Sequence, residues 1–431
     1  MTQKKVLIIT YYWPPAGGSG VQRWLKFAKY LPEFGIEPVI YTPENPSYPI
    51  LDESLVKDVS PDLKIFKTKI WEPYQIAEKF NPKSKEYKAG HFEKSEKQSF
   101  LTKLSVFVRG NFFIPDARQY WVEPSVRFLR NYLKENEIDT VITTGPPHSM
   151  HLIGYKLKEL NLNLNWLADF RDPWTQISYH SELKLTKWAQ KMHLIQENKV
   201  LTTADIVVAT SFTDAENYRK LGANRVEVIT NGFEESEFSD LFKVQSLKFK
   251  VVYSGGLEIA RNPVVVWEAL NEMVQENEAF KTDFELEFIG NLSPEVENSI
   301  RKNNLSDYLI KKGYVSHKES IEGIKNSDLL LLTNFPDEKS KGIIPGKLFE
   351  YLATGNPVLA IGPEEGDVAR ILEETQAGNY YTHSQKEEVK SYISEIYQKW
   401  KSGDETQHPI SEFMRFSRRS LTEKLAKLIK L

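Results

Sequence analysis

The sequence predicts an α/β protein of two doubly wound, Rossmann-like parallel sheets that follow one another along the chain. Three observations carry this. The apolar runs Lys5–Thr10 and Lys248–Ser254 read as strands buried on both faces. Each enters a glycine-containing turn and then a helix-period segment, so one strand–turn–helix grammar starts twice. Further short apolar runs alternate with helical segments after each start, the pattern of a parallel sheet with crossover helices. A chain of 431 residues has room for two or three domains of ordinary size.

In the first half, Lys5–Thr10 runs into Tyr11–Gly20 (YYWPPAGGSG). Val21 to Phe34 carries Leu25, Ala28 and Leu31 at helical spacing and closes at Gly35, before a second strand at Glu37–Thr42. Glycines at the first turn of a βαβ unit lie where open α/β sheets bind ligands. Gly17, Gly18 and Gly20 do not complete a Gly-x-Gly-x-x-Gly fingerprint, because Arg23 holds the last position. That disfavours a dinucleotide oxidoreductase. A turn needing positive φ explains two of the three glycines equally well.

Residues 72–118 are the least regular part, with a charged stretch at 79–97 that reads as a solvated insertion. Phe100–Ile114 (FLTKLSVFVRGNFFI) admits two readings, a surface that dips into a membrane or a helix packed on the N-terminal core. The packed helix is favoured, since apolar runs are usually interior. Trp121–Lys134 is a predicted helix and Asp139–Thr144 a strand. The strand enters Gly145-Pro-Pro-His-Ser-Met-His151, which puts His148 and His151 where such sheets carry functional groups. A histidine that caps the next helix is the alternative for each.

Leu164–Ala168 is another strand, ending in Asp169-Phe-Arg-Asp-Pro-Trp174, the densest polar cluster of this half. Pro173 blocks simple helix continuation, so Arg171 and Asp172 are expected on an exposed turn. Asp172 is suited to bind or deprotonate a hydroxyl and Arg171 to hold an anion. An Arg–Asp ion pair that braces the loop is the alternative. Strands at Ala204–Thr210 and Val226–Thr230 lead to Asn231-Gly-Phe and a polar linker, closing a first domain over 1–240.

The second domain, expected over 248–408, begins with Lys248–Ser254, the turn Gly255-Gly256 and a helix opened by Pro263. Strand-like runs follow at Phe284–Ile289, Ile310–Val315 and Asp328–Thr333. Then comes Gly342-Ile-Ile-Pro-Gly-Lys-Leu-Phe-Glu-Tyr-Leu-Ala-Thr-Gly-Asn-Pro-Val-Leu-Ala360, in which Gly346–Thr354 reads as a short amphipathic helix. Lys347 and Glu350, three apart, share a face near its N-terminus. A helix N-terminus with an added lysine suits a phosphate group, and a carboxylate one turn on suits the two hydroxyls of a ribose. An exposed ion pair is the alternative on spacing alone. Ser411–Leu431 reads as a closing helix with Leu421, Leu425 and Leu428 apolar and Arg418, Arg419, Lys424 and Lys427 basic.

The stretch Pro-Gly-Lys-Leu-Phe-Glu-Tyr-Leu-Ala-Thr-Gly-Asn-Pro-Val (345–358) resembles the donor-binding motif of retaining GT-B glycosyltransferases, the large family four, of the bacterial surface-polysaccharide type. Arg171-Asp172-Pro173-Trp174 is similar to a strand-end motif of the same branch. The resemblance implies a GT-B fold, in which the two domains face each other across a cleft and a last helix, here 409–431, crosses back to the first. It implies a nucleoside-diphosphate sugar as donor, with Gly17, Gly18, Arg261, Gly346 and Lys347 at the diphosphate and Glu350, Tyr314 and Val315 at the ribose and base. Asp172, Arg171 and His148 fall to the catalytic side. Many relatives have a second glutamate eight residues before the one matched by Glu350; here Gly342 stands there.

The implied reaction is hexosyl or N-acetylhexosaminyl transfer, with retention, to a hydroxyl of a glycan or lipid-linked acceptor. It needs no cofactor and, without an Asp-x-Asp site beside the motif, no metal. Two rivals are a nucleotide-sugar epimerase of the same architecture and a non-catalytic sugar-nucleotide-binding protein.

Composition narrows the partners. A net charge of −3 argues against a general nucleic-acid binder, and the absence of cysteine excludes a disulfide framework or thiolate metal site. The first residues lead straight into a strand too short for a signal peptide, and no apolar run of about 18 residues occurs. The expected location is cytoplasmic, with 100–114 and 411–431 as candidates for peripheral contact with the inner face of the membrane.

Overall fold

The structure, a computed structural model, describes residues 3–73, 100–177, 183–238, 246–404 and 408–431. The insertion expected over 79–97 lies outside these residues. The chain divides into two compact units, one of residues 1–230 with 421–431 and one of residues 231–420.

The first unit is built on a seven-stranded, all-parallel sheet in the order β3-β2-β1-β4-β5-β6-β7. Its strands are β1 Lys4–Ile9, β2 Ile36–Pro43, β3 Lys64–Thr68, β4 Thr140–Gly145, β5 Asn165–Phe170, β6 Ile206–Ala209 and β7 Val226–Val228. Strand side chains alternate between faces, and both faces are dry. Leu7 and Ile9 join a core with Val141, Trp166 and Ala168. Val6 and Ile8 join the opposite one with Ile142, Leu167, Leu421, Leu425 and Leu428. Burial on both faces is why these strands read as unbroken apolar runs.

The predicted helix over 21–34 is Ser19–Tyr30 followed by a single 3-10 turn, Leu31–Phe34, where Pro32 interrupts the α-helical hydrogen bonding. The predicted closing helix is also divided: a 3-10 segment, Ile410–Phe416, precedes the helix Arg418–Ile429. The break is Ser417, whose extended backbone ends the first piece and whose hydroxyl accepts the Ser420 N–H at 3.1 Å to start the second. Phe100–Phe112 is helical; Gly110 and Asn111 are buried, while Leu104, Phe107 and Phe112 remain exposed. The Asn111 side chain accepts the Thr186 N–H at 2.7 Å, so one face of this helix is packed. Among the described residues no helix is long and apolar enough to cross a membrane.

The second unit carries a six-stranded parallel sheet in the order β10-β9-β8-β11-β12-β13. Its strands are β8 Phe249–Ser254, β9 Phe284–Ile289, β10 Leu309–Gly313, β11 Leu329–Thr333, β12 Val358–Gly362 and β13 Gly378–Thr382. Phe249, Val251 and Tyr253 pack with Leu270 and Ile393 of the helices Val264–Glu276 and Lys386–Ser402. Both sheets therefore run outward in two directions from their first strand. The strand order reverses between β1 and β4 in the first unit and between β8 and β11 in the second. Ligands of such sheets bind beyond the strand ends at these reversal points.

Candidate functional site

The second unit's reversal point is where the motif helix Lys347–Thr354 docks. Tyr351, fully buried, fastens it: its hydroxyl accepts the Ser254 N–H at 2.9 Å and donates to the Leu331 carbonyl at 3.3 Å. One residue of the helix thus ties the end of β8 to the middle of β11. Lys347, one turn earlier, lies at the β8 terminus, where its ammonium donates to the Ser254 carbonyl and is 3.9 Å from the centre of the Tyr253 ring.

Arg261 arrives at the same turn from the other side. It belongs to the 3-10 turn Ile259–Arg261, and its guanidinium donates to the Gly256 carbonyl at 2.9 Å and faces the Phe335 ring. Two half-buried cations thereby flank the Gly255-Gly256 turn. Burial, followed by the Arg261 charge among the opposing influences, pulls the Lys347 ammonium below the usual lysine range. Among the described residues neither forms an ion pair. Two cations that face one turn, neither in an ion pair, are chemically suited to an anion.

The turn itself has little freedom. Gly290, which follows β9, has φ of 122°, and a Cβ there would stand 2.6 Å from the Gly255 carbonyl oxygen. Only glycine fits that backbone-to-backbone contact. Gly346 adopts helical angles just ahead of Lys347 and has open space around it. Glu350 lies one turn along; burial raises its carboxyl above the ordinary range, against the pull of His317, Arg418 and Lys347. Among the described residues its carboxylate has no hydrogen-bond partner. Val315 is half-buried after β10, and the Tyr314 ring is fully exposed. Gly342, at the place of the missing glutamate, precedes the motif helix in the same unit.

The first unit's reversal point collects the other candidates. Gly18 precedes the helix Ser19–Tyr30 with φ of 103°. Gly17 is hemmed in by Ile50 and Asp52, and a Cβ on Gly20 would overlap the Arg171 guanidinium. Positive φ therefore accounts for one of the three glycines and close packing for two. Arg171 donates to the Pro146 carbonyl and takes the Gly145 carbonyl with its own N–H at 3.0 Å.

Asp172 is exposed and, among the described residues, has neither an ion-pair nor a hydrogen-bond partner. The bracing pair is elsewhere: Asp169, at the end of β5, binds Arg23 at 2.9 Å, with Trp24 Nε1 and the Thr144 hydroxyl donating to the same carboxylate at 2.8 and 3.1 Å. Arg23, the residue that spoils the glycine fingerprint, is thus the buried counter-ion of the strand-end cluster.

His148 is buried and stacked on the Trp174 ring at 4.8 Å. It does not cap the helix Ser149–Leu160; Asp116 does, accepting the Ser149 N–H at 3.0 Å and its hydroxyl at 2.8 Å. His151 is fully buried, with Nδ1 2.9 Å from the Thr143 hydroxyl, and burial pushes its imidazole down to about 3, so it is neutral. The Asp172 turn is held from the helix Lys187–Thr203: Trp174 Nε1 donates to His193 Nδ1 at 3.0 Å, and Glu197 accepts from the Thr175 N–H and hydroxyl. Sequence reasoning missed Tyr351, Asp116, His193 and Glu197. The last two carry a trace, an i, i+4 polar pair inside an otherwise ordinary helix.

No protein-family model matches the chain, and no curated protein is significantly similar to it. Solved structures share its fold. It is similar to sucrose-phosphate synthase from Thermosynechococcus elongatus (15% identity, 99% of this chain and 98% of that one, TM-score 0.62). It is similar to the lipopolysaccharide outer core galactosyltransferase WaaB (15%, 99% and 100%, TM-score 0.60). A candidate UDP-N-acetylglucosamine 2-epimerase from Listeria monocytogenes also matches (11%, 99% and 96%, TM-score 0.51). The two parallel-sheet α/β domains are those of the GT-B fold, which at these identities is shared by glycosyltransferases and such an epimerase alike.

Proposed function

We propose that this chain is a glycosyltransferase that moves a sugar from a nucleoside-diphosphate sugar to a hydroxyl of a glycan or lipid-linked acceptor, with retention at the anomeric carbon. The observation that carries the reading is the pair Lys347 and Arg261, two cations without counter-ions at the β8 turn, with the Glu350 carboxylate one helical turn on. Lys347, Arg261 and the N–H groups around Gly346 would stabilise the charge that develops on the departing diphosphate. Glu350 would accept the ribose hydroxyls, and the backbone at Tyr314 and Val315 would border the base. In the first unit, Asp172 is exposed and without a hydrogen-bond partner among the described residues, which leaves it open to an acceptor hydroxyl, and the Arg171 charge beside it favours its ionised form and suits an anionic part of either substrate. Gly17 and Gly18 bring backbone to the same strand ends. The burial of His148 and its stacking on Trp174 favour a role in holding the Asp172 turn over direct contact with sugar. The lipopolysaccharide outer core galactosyltransferase among the structural neighbours supports a surface-polysaccharide acceptor; for contact with the inner face of the membrane, 100–114 and 411–431 are the segments to test.

The test is thermal unfolding with UDP, GDP, ADP, CMP and NAD, each with and without magnesium. A ligand at about a hundredfold its dissociation constant adds about 2.7 kcal/mol of stability. Stabilisation by UDP or GDP supports the site and names the donor class; stabilisation by NAD alone overturns it. Incubation with the matching nucleotide sugar then separates the rivals, because an epimerase alters the donor with no acceptor present and a pure binding protein leaves it unchanged.

A further inference from the structure

In the second unit a cavity of about 320 Å³ lies between the helix His317–Lys325 and the sheet edge at β9 and β10, a volume in the range of small-molecule sites. It begins at Val315, the residue proposed to border the base. It ends at Lys250, near the start of β8, and Asn326, just past the helix. The helix wall is fastened to the site already described: the Ser320 hydroxyl lies 2.9 Å from that of Ser254, whose carbonyl takes Lys347.

The floor of this cavity carries a carboxylate. Glu287, on β9, lines it with a side chain only 9% exposed. Among the described residues its ion-pair partner is Lys312 at 3.9 Å, and its carboxylate takes no hydrogen bond. The helix crosses closely here at Gly323, where a Cβ would stand 2.3 Å from Ile289 Cδ1 and 3.9 Å from Glu287 Oε1. With no side chain at that point, the Glu287 carboxylate is left uncovered. The other wall carboxylates differ. Glu319 accepts the Ser316 N–H and hydroxyl at 2.8 and 2.7 Å, and Glu322 is 44% exposed, within reach of water.

Lys312 is set by a bulge. Lys311 pairs with Phe288 and Gly313 with Ile289, so Lys312 is the extra residue of the edge strand β10. Lys311 reaches Glu297 at 2.8 Å, while Lys312 turns to Glu287 and the cavity. A buried carboxylate with so distant a counter-ion lacks the hydrogen bonds that ordinarily offset its desolvation. A ligand in the cavity would supply them. An ionised carboxylate only accepts and an ammonium only donates, so this wall offers one donor beside two acceptors.

We propose that Glu287 and Lys312 read the base of the donor nucleotide, and that this base is guanine. The inference rests on the reading of Lys347, Arg261 and Glu350 as the nucleotide site with Val315 on its base side. Along one edge guanine carries the O6 acceptor and then the N1–H and N2–H donors, the complement of a lysine beside a bidentate carboxylate. Uracil sets a single N–H between two carbonyls, so one carboxylate oxygen would face a carbonyl. Adenine and cytosine place their amino group beside a ring-nitrogen acceptor, with the same conflict. Guanine alone pairs both oxygens, and a buried oxygen left unpaired weakens binding of the wrong base.

The test is titration calorimetry of the full chain with GDP, UDP and IDP, the last being GDP without its 2-amino group. The proteins compared are the native chain, Glu287→Gln and Lys312→Met. Native protein should bind GDP on the order of tenfold to a hundredfold more tightly than UDP, with IDP between them. Glu287→Gln should bring GDP down to the level of IDP while UDP affinity changes little. Lys312→Met alters a half-exposed side chain and should lower GDP affinity severalfold. Should Glu287→Gln fail to fold, Lys312→Met and the native ratio of GDP to IDP carry the decision. UDP as tight as GDP, IDP equal to GDP, or a GDP preference that survives in Glu287→Gln overturns this inference and leaves the site reading standing. No binding of any of the three nucleotides overturns both.

Discussion

The Tyr351 hydroxyl accepts the Ser254 backbone N–H at 2.9 Å, a contact between residues 97 positions apart that seats the motif helix on the end of β8. Ser254 in turn presents its carbonyl to Lys347. The position of the cation thus depends on a phenol it does not touch.

Tyr351→Phe keeps the ring and removes both hydrogen bonds, leaving the Ser254 N–H and Leu331 carbonyl buried and unpaired. Denaturant unfolding should show a loss of about 1–3 kcal/mol. UDP or GDP affinity should fall as well, because the turn that orients Lys347 loosens. A stability loss with unchanged affinity would disconnect Tyr351 from the site.

Lys347→Ala should weaken binding of the nucleoside diphosphate on the order of tenfold or more, the range expected for a charge-assisted hydrogen bond to phosphate. Arg261→Ala should have a smaller effect, because Arg261 is tied to the Gly256 carbonyl and Lys347 remains. Calorimetric titration of both variants decides it. Equal affinity in Lys347→Ala and native protein would remove this lysine from the site.

Two carboxylates three residues apart should behave oppositely. Asp169→Asn removes the charge opposite Arg23 inside the protein and should cost about 3–5 kcal/mol in unfolding experiments. Asp172→Asn changes an exposed group that makes no hydrogen bond or close ion pair among the described residues, and should stay within about 0.5 kcal/mol of native stability. Its transfer activity should nevertheless collapse while donor affinity persists. Parallel loss of donor binding and turnover in Asp172→Asn would make it a structural residue.

His151 makes acid sensitivity predictable. Its buried imidazole is held at about 3, against about 6.5 in the unfolded chain. Between those values the unfolded state binds the extra proton, so stability falls as pH falls through that window. At pH 4.5 the loss from this group reaches about 2.7 kcal/mol. His151→Gln should start less stable near pH 7, since the ring packs on Phe170, yet lose less between pH 6.5 and pH 4.5 than the native protein. Identical slopes would assign the acid response to other groups.

The sequence by itself determined the strands other than the edge strands β3 and β13, the two series of βα units and the short helix carrying Lys347 and Glu350. These follow from local periodicity and from glycine and proline at element ends, which neighbours along the chain suffice to impose. It also marked the turn at Gly255-Gly256 and the polar cluster after β5. Tertiary structure decided which groups meet there. Arg23 and Asp169 are 146 positions apart, and nothing local distinguishes Asp169 as the buried partner from Asp172 as the exposed one. The sheet order, which sets β1 beside β4 and β4 beside β5, brings the helix after β1 to the end of β5 and makes that choice. The same holds for Asp116 capping the helix after His148, and for Tyr351 pinning β8 to β11. Such pairings depend on which strand ends the folded chain sets side by side, and only that geometry separates a bracing charge from one left open to a ligand.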